Sequence, residues 1–208
     1  METSTARVIV LAGPSGAGKS RLAGRLHAAY GWPVMRLDDF YRDGADPALP
    51  MVTLGSQRIP DWDDPRSWDG AAALDALTAL VNTGRTRTPV YDLATSRATG
   101  AATFEIRPTD VVVAEGIFAA EIVPELRERG LLAAAYCVSQ GRWHTLVRRL
   151  VRDLRERRKP AHILVRRGWE LARREPQIIA RAQQLGASCR TPAEVERDLA
   201  KIERGLAA

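Results

Sequence analysis

The chain has 208 residues, 45% hydrophobic and 27% charged, which suits one well-buried core with a small appendage and excludes a disordered or fibrous protein. No stretch approaches the roughly 18 apolar residues of a membrane span, and the opening METSTARVIV lacks the basic start and cleavage site of an export signal, so a cytoplasmic protein is expected. The formal charge of +6 is concentrated: residues 142–174 hold twelve Arg or Lys against three acids, +9, leaving −3 elsewhere, so the expected partner is a compact anion or a strand of phosphates lying on that segment.

Arg7 to Ala12 is a β-branched run ending at a glycine and reads as a buried strand. Gly18 to Tyr30 follows, with Leu22, Leu26 and Ala29 at helical spacing, and Pro33 to Leu37 is a second short strand. Asp38 to Arg66, rich in Asp, Pro and Gly and without a clear period, reads as one long loop of the kind that carries function. Asp69 to Val81 is an Ala/Leu helix stopped by Asn82 to Gly84, and Thr86 to Tyr91 pairs with Thr103 to Arg107 as a β-ribbon around Ser96 to Gly100. Asp110 to Ala114 is the strongest strand, Ala119 to Arg129 a helix despite Pro124, and Leu132 to Val138 another strand. Trp143 to Arg158 is a basic helix; the remainder is mostly helical, with a short strand near Ala187 to Cys189. Strands alternating with helices predict an α/β fold, a parallel sheet covered on both faces. Cys137 and Cys189 lie far apart in sequence without His or Cys neighbours at metal spacing, and read as free thiols in a reducing compartment, a disulfide being the alternative.

Gly13-Pro14-Ser15-Gly16-Ala17-Gly18-Lys19-Ser20 fits the phosphate-binding pattern GxxxxGK(S/T) between a strand and a helix. There, successive amides can curl around phosphate oxygens while the helix N-terminus adds partial positive charge. Lys19, one of only three lysines beside 28 arginines, would reach the β- and γ-phosphates, and the Ser20 hydroxyl would bind Mg²⁺. Ligands of open parallel sheets gather at the carboxyl ends of strands. Two acidic sites fall there: Asp38 and Asp39 after the second strand, and Glu115 after the strongest. A carboxylate in that place can hold the metal, or accept the proton of a hydroxyl attacking the γ-phosphorus.

The P-loop, then Leu37-Asp38-Asp39-Phe40-Tyr41, Asp61-Trp62-Asp63-Asp64-Pro65, Pro89-Val90-Tyr91-Asp92, Val113-Ala114-Glu115-Gly116-Ile117 and Arg148 to Arg157 occur in the order seen in uridine kinases. Over about residues 7–160 the chain resembles the uridine kinase and phosphoribulokinase-like branch of P-loop kinases. The resemblance implies a three-layer, nucleoside monophosphate kinase-like P-loop NTPase in a single domain, with an acceptor-binding insertion over about 38–108 that includes the small β-ribbon, and a basic helical lid over about 142–160. It implies transfer of the γ-phosphate of ATP, with Mg²⁺, to the 5′-hydroxyl of a ribonucleoside, uridine or cytidine. By position, Asp38 matches the general base; Tyr41, Trp62, Asp63, Tyr91 and Arg97 fall on the acceptor side; Arg149, Arg152 and Arg157 fall in the lid. There, guanidinium forks would neutralise charge spread over the transferring phosphoryl oxygens, Arg152 closest to the chemistry and Arg149 and Arg157 with Gly13, Ser15, Gly16, Ala17 and Gly18 on the nucleotide.

One departure bears on the acceptor. After Tyr91-Asp92 the family shows a histidine before an arginine that helps read the pyrimidine edge; here the run is Leu93-Ala94-Thr95-Ser96-Arg97, and the histidines His27, His144 and His162 are all elsewhere. The acceptor therefore stays open to a nucleoside analogue, pantothenate or a sugar phosphate. A nucleotide-regulated RNA-binding protein using residues 142–174 is the rival class; nucleic acid is otherwise not an expected partner, and a homo-oligomer is left open.

Overall fold

A computed structural model describes residues 7–54, 57–107, 110–141 and 175–206 of the chain. Five parallel strands form its centre in the order β2-β7-β1-β8-β9: β1 is Val8–Ala12, β2 Val34–Arg36, β7 Val112–Glu115, β8 Leu132–Val138 and β9 Ser188–Arg190. β1 holds the middle because each of its five residues is fully buried, so it tolerates a layer on either face. Its pleat divides the core. Val8, Val10 and Ala12 join Leu77 and Leu80 of α2 (Gly70–Thr83) and Leu126 of α3 (Val123–Glu128), whereas Ile9 and Leu11 join Leu22 and Leu26 of α1 (Lys19–Tyr30) and Val195 and Leu199 of α5 (Pro192–Leu206). The helix over residues 175–184, α4, packs Ala182 into the first of these clusters. This is an α/β fold, a parallel sheet covered on both faces, as the alternation of strands and helices predicts.

Local chemistry sets the helix ends. The Asp69 carboxylate accepts from the Ala72 amide at 3.0 Å and starts α2, and Gly84 closes it in the left-handed conformation with its amide on Leu80 O at 2.8 Å. Pro124 stands in the first turn of α3, where its missing N–H costs nothing, and a 3-10 turn over Ala119–Ile122 leads into it. The predicted helix over 119–129 is thus two pieces.

The segment expected to be one long loop is not. A 3-10 turn, Leu37–Phe40, follows β2; the antiparallel pair β3 (Met51–Leu54) and β4 (Gln57–Pro60) stands beyond it; a second 3-10 turn, Pro65–Ser67, leads to α2. Tyr41 bridges to Trp68, and the Asp69 amide donates to Phe40 O at 2.9 Å, so this excursion closes on itself at its base. The ribbon is longer than predicted, β5 (Arg85–Asp92) against β6 (Arg97–Glu105), and its turn is Leu93 to Ser96, with Ser96 at φ 55. The basic helix expected over 143–158 lies outside the described residues.

Candidate active site

The carboxyl ends of β1, β2 and β7 converge, because parallel strands in register place their following loops side by side. After β1 the chain enters the P-loop, where Gly13, Gly16 and Gly18 have φ of 130, 91 and 97. A Cβ on Gly13 would come within 2.5 Å of Val138 O, so only glycine lets the loop leave β1 this close to β8. Lys19, 5% exposed, donates to Gly13 O at 2.8 Å and Pro14 O at 3.1 Å, which holds its ammonium over the loop.

Glu115 ends β7 at 4% exposure, and the Ser20 hydroxyl donates to its two carboxylate oxygens at 3.1 and 3.2 Å. Burial pushes the Glu115 carboxyl above its ordinary value; Asp38 adds to the rise, while Lys19, Ser20 and Arg36 oppose it. A hard divalent cation fits this oxygen pair, a hydroxyl and a buried carboxylate in contact at the foot of the loop.

The two acids after β2 separate. Asp39 turns to Arg36, with 3.6 Å between carboxylate and guanidinium, and burial raises its pKa against the pull of that arginine. Asp38 turns to β7: its Oδ1 accepts from the Ile117 amide at 2.9 Å, across 79 positions of sequence. Gly116 makes room for it, since a Cβ there would sit 2.9 Å from Asp38 Oδ1 and 3.0 Å from Leu37 Cβ.

Among the residues expected to face the acceptor, Tyr41 is the hub. Its ring stands 5.8 Å from Trp62, edge-on, and 6.0 Å from both Tyr91 and Phe118, while its hydroxyl donates to Trp62 O at 3.2 Å. The Tyr91 hydroxyl donates to Arg42 O at 3.0 Å, tying the ribbon to the chain after the first 3-10 turn, and burial raises its pKa. Phe118 and Ile117 line a cleft of about 290 Å³ that reaches Gly13 and takes Asp63 from one side and Gln177 and Arg181 of α4 from the other. Arg97 is not brought to this cleft. It stands at the ribbon tip, its side chain 63% exposed and 3.8 Å from Asp43. Arg149, Arg152 and Arg157 lie outside the described residues.

Two groups beside the P-loop and the cleft escaped the sequence reading. Gln140, two positions beyond β8, donates to Ala17 O at 3.2 Å and braces the P-loop; its place past a strand end is the same signal that marks the acids, carried by an amide. Arg181 reaches Glu121 with bonds of 3.1 and 2.9 Å, and no local pattern announces that pairing across 60 positions.

A family model described as "Phosphoribulokinase / Uridine kinase family" matches residues 8–165. The chain belongs to the phosphoribulokinase/uridine kinase family. Among similar family proteins, the uridine kinase of Macrococcus caseolyticus is 30% identical over 74% of this chain and 72% of its own length. Inorganic pyrophosphatase TTM1 of Arabidopsis thaliana is 31% identical over 76% of this chain, which spans 22% of that longer protein. In solved structures the fold is similar to a protein of Silicibacter sp. TM1040 provisionally assigned as a fructose transport system kinase, with a TM-score of 0.59 at 21% identity over 92% of this chain and 90% of that one. It is also similar to a Bacillus stearothermophilus protein provisionally assigned as a uridine kinase, with a TM-score of 0.53 at 15% identity over 91% of each chain. The family's P-loop kinase fold accounts for the sheet order and for the loop after β1. No helix among the described residues is long and apolar enough to cross a membrane.

Proposed function

We propose that this family member is a small-molecule kinase that moves the γ-phosphate of ATP to the 5′-hydroxyl of a ribonucleoside, with uridine and cytidine the leading acceptors. The observation that carries the reading is the meeting of three strand ends: Lys19 over the P-loop, the Ser20–Glu115 pair at its foot, and Asp38 fixed by the Ile117 amide beside them. When bound, Mg·ATP supplies the electrophilic phosphorus and a metal charge that offsets its oxygens.

The chain's own residues do the rest. Amides of the P-loop and the Lys19 ammonium bind the triphosphate, and Ser20 and Glu115 supply oxygen to the metal. Asp38, with Oδ1 held on Ile117, presents its carboxylate to the acceptor hydroxyl, orients it and takes its proton. Tyr41, Trp62 and Tyr91 form an aromatic wall for a flat ring, and the Asp63 carboxylate accepts from sugar hydroxyls in the adjoining cleft. By their position in the family pattern, Arg149, Arg152 and Arg157 would supply guanidinium charge to the transferring group.

One observation favours a second acceptor class, another hydroxyl metabolite such as a nucleoside analogue. The ribbon turn after Tyr91 offers Leu93, 51% exposed, and no histidine for a pyrimidine edge. The two readings separate in an ADP-release screen with Mg·ATP over ribonucleosides, deoxyribonucleosides, sugars and vitamins. Uridine or cytidine should give the highest kcat/KM; another compound ahead of both would move the protein to the second class. No release with any acceptor, together with no calorimetric uptake of Mg·ATP, would end the kinase reading. Salt-sensitive RNA binding in its place would favour the RNA-binding class.

A further inference from the structure

Cys137 and Cys189, 52 positions apart in sequence, are direct partners in the parallel pairing of β8 with β9. Residues paired in register point to one face of a sheet, and adjacent strands lie ~4.8 Å apart. That separation falls inside the roughly 4.4–6.8 Å between Cα atoms that a disulfide spans. Both residues are free thiols, and each bears on the ionisation of the other across the strand pair. Cys137 is fully buried, whereas Cys189 is partly exposed on the edge strand.

We propose that Cys137 and Cys189 are an oxidisable dithiol, which a peroxide converts to a disulfide tying β8 to β9 and altering the cleft beside the P-loop. The order of events follows from accessibility. Cys189 attacks one oxygen of the peroxide as its thiolate; the O–O bond breaks, Cys189 becomes a sulfenic acid, and the departing hydroxide takes a proton to become water. Cys137 then attacks the Cys189 sulfur, the S–S bond forms, the S–O bond breaks, and a second water leaves with the Cys137 proton. Two thiols lose two electrons and one peroxide gains them. Burial raises the pKa of both thiols, that of Cys137 to about 12 against the pull of Lys19; at Cys189 the neighbouring Cys137 and the charge of Arg190 offset part of the rise, while Glu194 and Glu175 add to it. The attack is accordingly slow and quickens in alkaline solution.

The pair sits where such a tie would be felt. Val138, next to Cys137, packs its backbone against Gly13, and the Ser139 amide donates to Arg190 O at 3.0 Å. The chain runs from Cys189 into Thr191 and Glu196, which with Gly18, Arg21 and Gln140 line a second cleft of about 540 Å³ beside the P-loop. A disulfide there fixes, by a covalent bond, the two strand ends that lead into that cleft.

The dithiol does not depend on the kinase reading; its effect on nucleotide does. The full chain, reduced and then treated with hydrogen peroxide at mildly alkaline pH, should lose two hydrogens in mass and yield a peptide linking Cys137 to Cys189. Its affinity for Mg·ATP by calorimetry should weaken by roughly fivefold or more, the lower end of ordinary coupling between sites, and recover with dithiothreitol. Cys189→Ser should show neither change, and Cys137→Ser should leave a sulfenic acid that dimedone traps. Oxygen added to Cys189 with the Cys137 thiol retained, or linkage only between chains, would overturn the dithiol. A cross-linked protein with unaltered Mg·ATP affinity would overturn the coupling. If the reduced protein takes up no Mg·ATP while the cross-link forms, the kinase reading fails and the dithiol stands.

Discussion

Asp38 and Asp39 are adjacent in sequence and alike in chemistry, yet the backbone sends one to Ile117 and the other to Arg36. If Asp38 is the base, Asp38→Asn should lower turnover on the order of 10² to 10⁴ with the protein still folded, and Asp39→Asn should fall well short of that; steady-state kinetics beside circular dichroism decides it. Glu115 makes a different claim, testable without a substrate. Burial raises its pKa above the ordinary 4.5, so the folded protein holds that proton more tightly than the unfolded chain. Its ionisation therefore costs stability as pH climbs from 4.5 through the folded value, and costs nothing below. Glu115→Gln should melt higher than the wild type at neutral pH, with the gain vanishing below 4.5; an equal gain at all pH values would show that charge burial is not its origin. Both acids were legible from sequence because the carboxyl ends of buried strands are easy to locate. Which of Asp38 and Asp39 faces the site was carried by family resemblance, since no local pattern separates them.

At the scale of elements, the turn after β7 is as consequential as the carboxylates. A Cβ at Gly116 would press on Asp38 Oδ1 at 2.9 Å, so Gly116→Ala should displace the acid while leaving the P-loop alone. We expect kcat to fall by on the order of 10²-fold, as misplacements of about 1 Å do, with little change in KM for nucleotide; the reverse split would place Gly116 in nucleotide binding. Asp69→Ala removes the side-chain cap of α2. It should cost ~1 kcal/mol, hence roughly 2–4 °C in Tm for a chain of this size, and a calorimetric scan measures it. Strongly periodic elements were the legible ones: α1, α2 and β8 fall within a residue or two of where spacing put them. The β3–β4 pair was not. Its strands are four residues each, Pro60 occupies a paired position, and Met51 is 41% exposed, so neither alternation nor burial marked it.

For the molecule as a whole, long-range pairing is what the sequence concealed. The P-loop is a contiguous signal and could be read directly, but the cleft beside it draws on Asp63, Phe118 and Arg181, which only the folded topology assembles. The cysteines make the same point: separation in sequence favours two free thiols over a bonded pair, and the placement of β9 beside β8 makes them neighbours. One topological fact reaches further. Among the described residues β2, three residues long, lies at the rim of the sheet, paired with β7 alone, and Asp38 hangs from its end. Rim strands fray at lower free energy than central ones, so mild urea should abolish catalysis before far-ultraviolet ellipticity moves, and substrate that bridges both strand ends should delay that early loss. Coincident midpoints for inactivation and unfolding would mean that the rim and the centre melt as one cooperative unit.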